Sequence, residues 1–145
     1  MLIRKSASEV FNTLIDPEHT KHFWFTNGSN KLEENKEVTW TWGMYNFSMK
    51  VMATEIVKDK KIKFNWYTSE KPTVVNISFK AIASDVTFVE VKHSGFDKTG
   101  DELIEAVKDS CGGFALVLAG LKSYLEHGIN LNLVRDKFPK ELMDH

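Results

Sequence analysis

The hydrophobic period of the chain changes twice, and those changes mark out its elements. Near the start, Val10, Phe11 and Leu14 fall at helical spacing behind Ser6 and Ser8, either of which suits a helix N-cap. Glu9 sits in the first turn, where a carboxylate complements the helix dipole. Asp16-Pro17 breaks the run, and Pro17, capped by Asp16, opens a second short helix reaching to about Phe23. Leu2-Ile3-Arg4-Lys5 ahead of these helices reads as a short strand. Asn27-Gly28-Ser29-Asn30 behind them reads as a turn cluster.

From Val38 onward the period is two. Val38, Trp40 and Trp42 alternate with threonines; Phe47, Met49, Val51 and Ala53 alternate with Ser48, Lys50, Met52 and Thr54. The same alternation places Ile62, Phe64 and Trp66 on one face, then Val75, Ile77, Phe79 and Ala81, then Thr87, Val89, Val91 and His93. Turn signals separate the runs at Gly43, Lys58-Asp59-Lys60, Glu70-Lys71-Pro72 and Ser84-Asp85. Strands joined by such short connections make an antiparallel meander with one packed face and one wet face.

After Gly95 and Gly100 the period returns to 3.6. Leu103, Val107, Cys111, Phe114, Leu118, Leu121 and Leu125 share one stripe from Asp101 to His127, and Gly128 is placed to end the helix. A helix of that length spans roughly 40 Å at 1.5 Å per residue. Its apolar stripe needs a partner, and the sheet offers the available face. The expected fold is therefore α+β: a strongly twisted antiparallel sheet curled around one long helix, in the order β-α-α-β-β-β-β-β-α. Gly112-Gly113 in mid-helix conflicts with helix propensity and marks either a kink or a close approach by sheet or ligand. Residues Ile129–His145 read as an extended tail that lies back on the domain.

Composition narrows the classes. The 145 residues match a single domain spanning 1–145, and 42% apolar residues with four Trp and ten Phe suit a buried core. A net charge of −1 gives no electrostatic case for nucleic acid or an anionic membrane. No stretch approaches the roughly 20 apolar residues of a membrane span. Met1–Val10 lacks an apolar run that could serve as a signal peptide, so a cytoplasmic protein is expected. The lone Cys111 excludes an internal disulfide, and its place on the apolar stripe predicts an inert small hydrophobe.

Local motifs add a resemblance. The element order is similar to the helix-grip fold of the START-related, polyketide-cyclase-like superfamily. Ser8-Glu9-Val10-Phe11, then Leu14-Ile15-Asp16-Pro17-Glu18 and the pair Phe23-Trp24, resemble the opening of domains similar to the activator of the heat-shock protein 90 ATPase. His93-Ser94-Gly95-Phe96 and Leu121-Lys122-Ser123-Tyr124-Leu125-Glu126-His127-Gly128 resemble the later elements of that family. Two departures stand out. The first strand is shorter than is usual there, which predicts an edge that is frayed or paired with another copy of the chain. Gly113-Phe114 also stands where the family more often has Gly-Trp, which leaves more room beside the helix. The resemblance implies a ligand-holding domain or one associated with a heat-shock protein 90-type chaperone, as monomer or homodimer. It implies no shared reaction.

The candidate lining of a cavity between sheet and helix is Trp24, Trp40, Trp42, Met49, Phe64, Trp66, Phe79, Val89, His93, Phe114 and Leu118. Such a lining suits a small apolar or amphipathic ligand; the alternative is that these side chains fill the core without a void. Trp N–H groups, Tyr45 or Tyr67 would orient a polar ligand end if they face inward. His93 could serve as a general base in a cyclase- or hydrolase-like enzyme, but no carboxylate at readable spacing orients it. His19 and His22 have i,i+3 spacing but no third ligand, so a surface pair is expected and no metal. No phosphate loop, serine elbow or HExxH motif occurs, and no cofactor is expected.

Overall fold

The computed structural model describes residues 1–67 and 71–142; Glu70 of the expected turn and tail residues 143–145 lie outside the described residues. The strands are β1 (Leu2–Ile3), β2 (Asn27–Gly28), β3 (Glu37–Trp42), β4 (Phe47–Val57), β5 (Lys61–Trp66), β6 (Thr73–Ala83) and β7 (Val86–Ser94). The helices are α1 (Ala7–Ile15), α2 (Pro17–Thr20), α3 (Gly100–His127) and α4 (Leu133–Asp136). All seven strands form one curved antiparallel sheet in the order β1-β7-β6-β5-β4-β3-β2, with the 28-residue α3 as its long helix.

The alternation works as a register. Trp40 pairs with Met49, Val51 with Trp66, Phe64 with Val75, and Phe79 with Val89, so apolar side chains stand beside one another on the inner face. Trp40, Val51, Phe64, Val75 and Val89 are 0–1% exposed. Register shifts at Ala53/Glu55 and Ala81/Ala83 interrupt the ladders, the kind of irregularity that bends a strand and increases its twist. Ser6 caps α1 by accepting from the Glu9 N–H at 3.2 Å, and Asp16 caps α2 by accepting from the Glu18 N–H at 3.0 Å. Phe11 of α1 meets Phe79 of β6 edge-on at 5.9 Å, which seats the first helix on the sheet.

Several expectations need correction. Asn27-Gly28 is a two-residue strand paired with Thr41 and Trp40 rather than only a turn. The short first strand is not frayed: its inner side pairs with β7, Leu2 with Phe88 and Ile3 with Thr87, and it forms the outer edge of the sheet. It is held at both ends. The Met1 amino group donates to the Val89 carbonyl at 2.6 Å, and Lys122 Nζ donates to the Leu2 carbonyl at 2.8 Å and to Glu126 at 2.6 Å. Ile3, fully buried, supplies the apolar anchor.

The stripe of α3 also differs. Val107 and Cys111 are exposed and Leu103 is half-buried, whereas Val117, Gly120 and Leu121 are buried. The inward face runs through Ala106, Ser110, Gly113 and Val117, and Gly120 continues it one turn on. Most of these residues are small, so a pattern built on large apolar side chains places the stripe about one position away. Gly120 permits the closest approach: a Cβ there would lie 3.0 Å from Phe23 Cβ and 3.3 Å from the Phe23 carbonyl oxygen. Gly128, at φ 65°, ends the helix by donating to the Tyr124 carbonyl at 3.0 Å. The tail does return to the body, but as α4 and a 3-10 turn at Lys140–Leu142 rather than as an extended strand. Among the described residues no helix is long and apolar enough to cross a membrane.

Candidate ligand cavity

A cavity of about 760 Å³ lies between one end of the sheet, the middle of α3 and the C-terminal segment. Its aromatic wall comes from four elements. Trp42 ends β3, Trp66 ends β5, Trp24 follows α2, and Phe114 projects from α3. Trp24 stacks on Trp66 at 6.4 Å and 15°, and Phe114 meets both rings, at 5.9 Å and 5.7 Å. Trp42 and Trp66 stand at strand ends and so at the rim of the core.

The helical wall is small-sided. Ala106, Ser110 and Gly113 line the cavity, and a Cβ added at Gly113 would meet nothing within 4 Å. Gly112-Gly113 therefore sits within a continuous helix, with Gly113 against open space. Val134, Lys137 and Phe138 close the third side. That segment is fastened by the Tyr45 hydroxyl, which donates to the Val134 carbonyl, and by a Tyr45–Phe138 ring contact at 6.2 Å. Burial raises the pKa of Tyr45, keeping its hydroxyl a donor. Tyr45 thus holds the tail, while Tyr67 is exposed and outside the lining.

The polar end of the cavity is a chain of three side chains. His93 Nε2 lies 2.6 Å from Thr73 Oγ1 and Nδ1 lies 2.6 Å from Ser110 Oγ. Thr73 is itself 3.4 Å from the Trp66 carbonyl. Half-burial lowers the His93 pKa, because the cation would lose hydration there. The partners that orient the imidazole are hydroxyls, not a carboxylate. Around the remaining wall stand Lys71, Lys98 and Lys137 with Asp97 and Asp109; Lys71 pairs with Asp97 at 3.1 Å.

The structure thus brings together Trp24, Trp42, Trp66, His93 and Phe114 of the sequence candidates. Trp40, Met49, Phe64, Phe79 and Val89 lie in the packed core beneath, and Leu118 packs against that core rather than lining the cavity. Alternation identifies the inner face but cannot tell its packed centre from its open end. Ser110 and Thr73 were missed as polar groups of the site. A signal existed for Ser110, which precedes Phe114 by four residues and so shares its helix face.

A second hollow of about 680 Å³ lies across the C-terminal segment and shares Trp24, Val134 and Phe138 with the first. Its lining combines Phe23, Trp24 and Phe138 with the charged Lys21, Arg135, Asp136, Lys140 and Glu141. His19 and His22 belong to neither aromatic wall as ligands for a metal. His19 Nδ1 is 2.7 Å from the Tyr124 hydroxyl, and His22 stacks on the Tyr124 ring at 5.2 Å. Among the described residues no group of three or more His, Cys, Asp or Glu is gathered for a metal ion.

The sequence profile of a family described as activator of Hsp90 ATPase homolog 1-like protein matches residues 4–126. The chain belongs to this family. Its fold recurs in solved structures. Protein SSP2350 from Staphylococcus saprophyticus superposes with a TM-score of 0.78 at 24% identity, covering 90% of this chain and 91% of that one. An Aha1 dimer from Colwellia psychrerythraea gives 0.70 at 16% identity, with 88% and 93% covered. PFC0360w, an Hsp90 activator from Plasmodium falciparum, gives 0.67 at 15% identity, with 86% and 91% covered. At these identities the likeness concerns the fold. No curated protein matches this sequence significantly. The family match stops at residue 126, so the C-terminal segment that walls the cavity lies beyond it.

Proposed function

We propose that this family member binds a small hydrophobic or amphipathic ligand in the cavity between sheet and helix, without converting it. One observation carries the reading: four aromatic rings from four separate elements converge on one open volume of about 760 Å³, with a small cluster of polar groups at one end. That combination of apolar wall and few placed polar groups is the usual make-up of a small-molecule site. Holding rather than converting is favoured because His93 is hydrogen-bonded to two hydroxyls, with no carboxylate partner among the described residues to stabilise a developing imidazolium. Native mass spectrometry of the purified protein, with tryptophan-quenching titrations against a panel of apolar aromatics, tests it. A bound mass or saturable quenching that Phe114→Trp weakens, by filling space beside Trp24 and Trp66, is expected. No retained mass and no saturable quenching by any compound would refute it.

A second reading, association with a heat-shock protein 90-type chaperone in the cytoplasm, is supported by the family match and by the shared fold of a Plasmodium Hsp90 activator. Titration of this protein into the chaperone of its own cell, reading ATPase rate, tests it. Absence of both binding and stimulation would remove it.

A further inference from the structure

One hydrogen-bond arrangement at the polar end of the cavity gives every hydrogen in it a partner. A backbone carbonyl can only accept, so in that arrangement the Thr73 hydroxyl turns its single hydrogen to the Trp66 carbonyl, 3.4 Å away. Thr73 Oγ1 must then accept from His93 Nε2–H, which sets the imidazole tautomer. A neutral imidazole has one N–H, leaving Nδ1 as a lone pair, and the Ser110 hydroxyl donates into it. The Ser110 hydrogen is thereby committed. What Ser110 turns to the cavity is lone pairs alone.

We infer that the cavity selects hydrophobic molecules bearing an uncharged hydroxyl, alcohol or phenol, whose O–H donates to Ser110 Oγ. The inference rests on the binding reading above and names the class of ligand. Ether and carbonyl oxygens would set lone pair against lone pair at this point and leave Ser110 desolvated without a partner. An ammonium would have to surrender its hydration at a wall that already carries three lysines against two aspartates. The apolar body of the ligand lies against Trp66 and Phe114, which both stand beside His93, at ring distances of 6.2 Å and 5.9 Å.

The test is a matched series: naphthalene, 2-naphthol and 2-methoxynaphthalene, titrated near neutral pH by tryptophan quenching. One neutral hydrogen bond predicts that 2-naphthol binds about fivefold tighter than its methyl ether. Ser110→Ala, a change that favours the helix, should bring naphthol and ether to equal affinity. Equal affinities in the unaltered protein, or a naphthol preference that survives Ser110→Ala, would overturn the inference and leave the cavity reading standing. Failure of every compound to bind would remove both.

Discussion

Two glycines of α3 make opposite predictions for the same substitution. Alanine in place of a mid-helix glycine gains about 1 kcal/mol from backbone propensity alone. At Gly113 the new methyl meets nothing within 4 Å, so that gain is realised in full. At Gly120 the methyl would lie 3.0 Å from Phe23 Cβ and 3.3 Å from its carbonyl oxygen. The oxygen belongs to backbone between α2 and β2, in a segment whose side chains Phe23, Trp24 and Phe25 are all buried, and it cannot step aside cheaply. Overpacking of this kind costs about 1–3 kcal/mol, so Gly120→Ala is expected to lose about 1 kcal/mol net. The two variants should therefore differ by about 2 kcal/mol. Urea unfolding followed by tryptophan fluorescence measures this directly, and thermal midpoints should separate by about 4–8 °C. Equal effects at the two positions, or a stabilised Gly120→Ala, would refute the idea that α3 presses on Phe23 at one end and stands off from the aromatic wall at the other.

Trp40 is 1% exposed and stacked on Phe25 at 4.3 Å, so Trp40→Ala should cost about 3–5 kcal/mol in urea unfolding, whereas half-buried Trp66→Ala should cost less and weaken ligand quenching more. Because burial sets the folded pKa of His93 below its ordinary 6.5, the unfolded chain takes up a proton first as pH falls. Stability is unaffected by His93 well above 6.5 and declines as pH drops below it. His93→Gln should remove that decline in an unfolding series across this window. Protonated His93 would also donate from both nitrogens, turning the Ser110 hydrogen towards the cavity. The hydroxyl preference should therefore fade with the same titration, in a wall whose other charged groups among the described residues are Lys71 and Asp97, Lys98, Asp109 and Lys137. The Glu126 carboxyl, held below the usual carboxylate range chiefly by its hydrogen bond from Lys122, adds its own loss only at lower pH.

The period-two runs from Val38 to His93 and the period-3.6 run that follows were enough to place the sheet, the long helix and their order. Caps and stops were equally legible: Ser6, Asp16-Pro17 and Gly128 act locally, through their own backbone and the next few residues. The same holds for the inner face, where Trp40 and Phe64 are buried as the alternation demands.

What the sequence alone determined is thus local: element type, element ends, and which face is apolar, since each depends on neighbours within a turn or two. Tertiary structure alone decided that Trp42 and Trp66 border a cavity while Trp40 and Phe64 fill the core, because a void is a mismatch between surfaces and belongs to no single segment. It also turned α3 so that Ser110 and Gly113, rather than Val107 and Cys111, face the cavity, because the helix is seated where Gly120 meets Phe23. And it joined Thr73, His93 and Ser110, which are 20 and 17 residues apart in sequence and share no motif, into one directed hydrogen-bond chain.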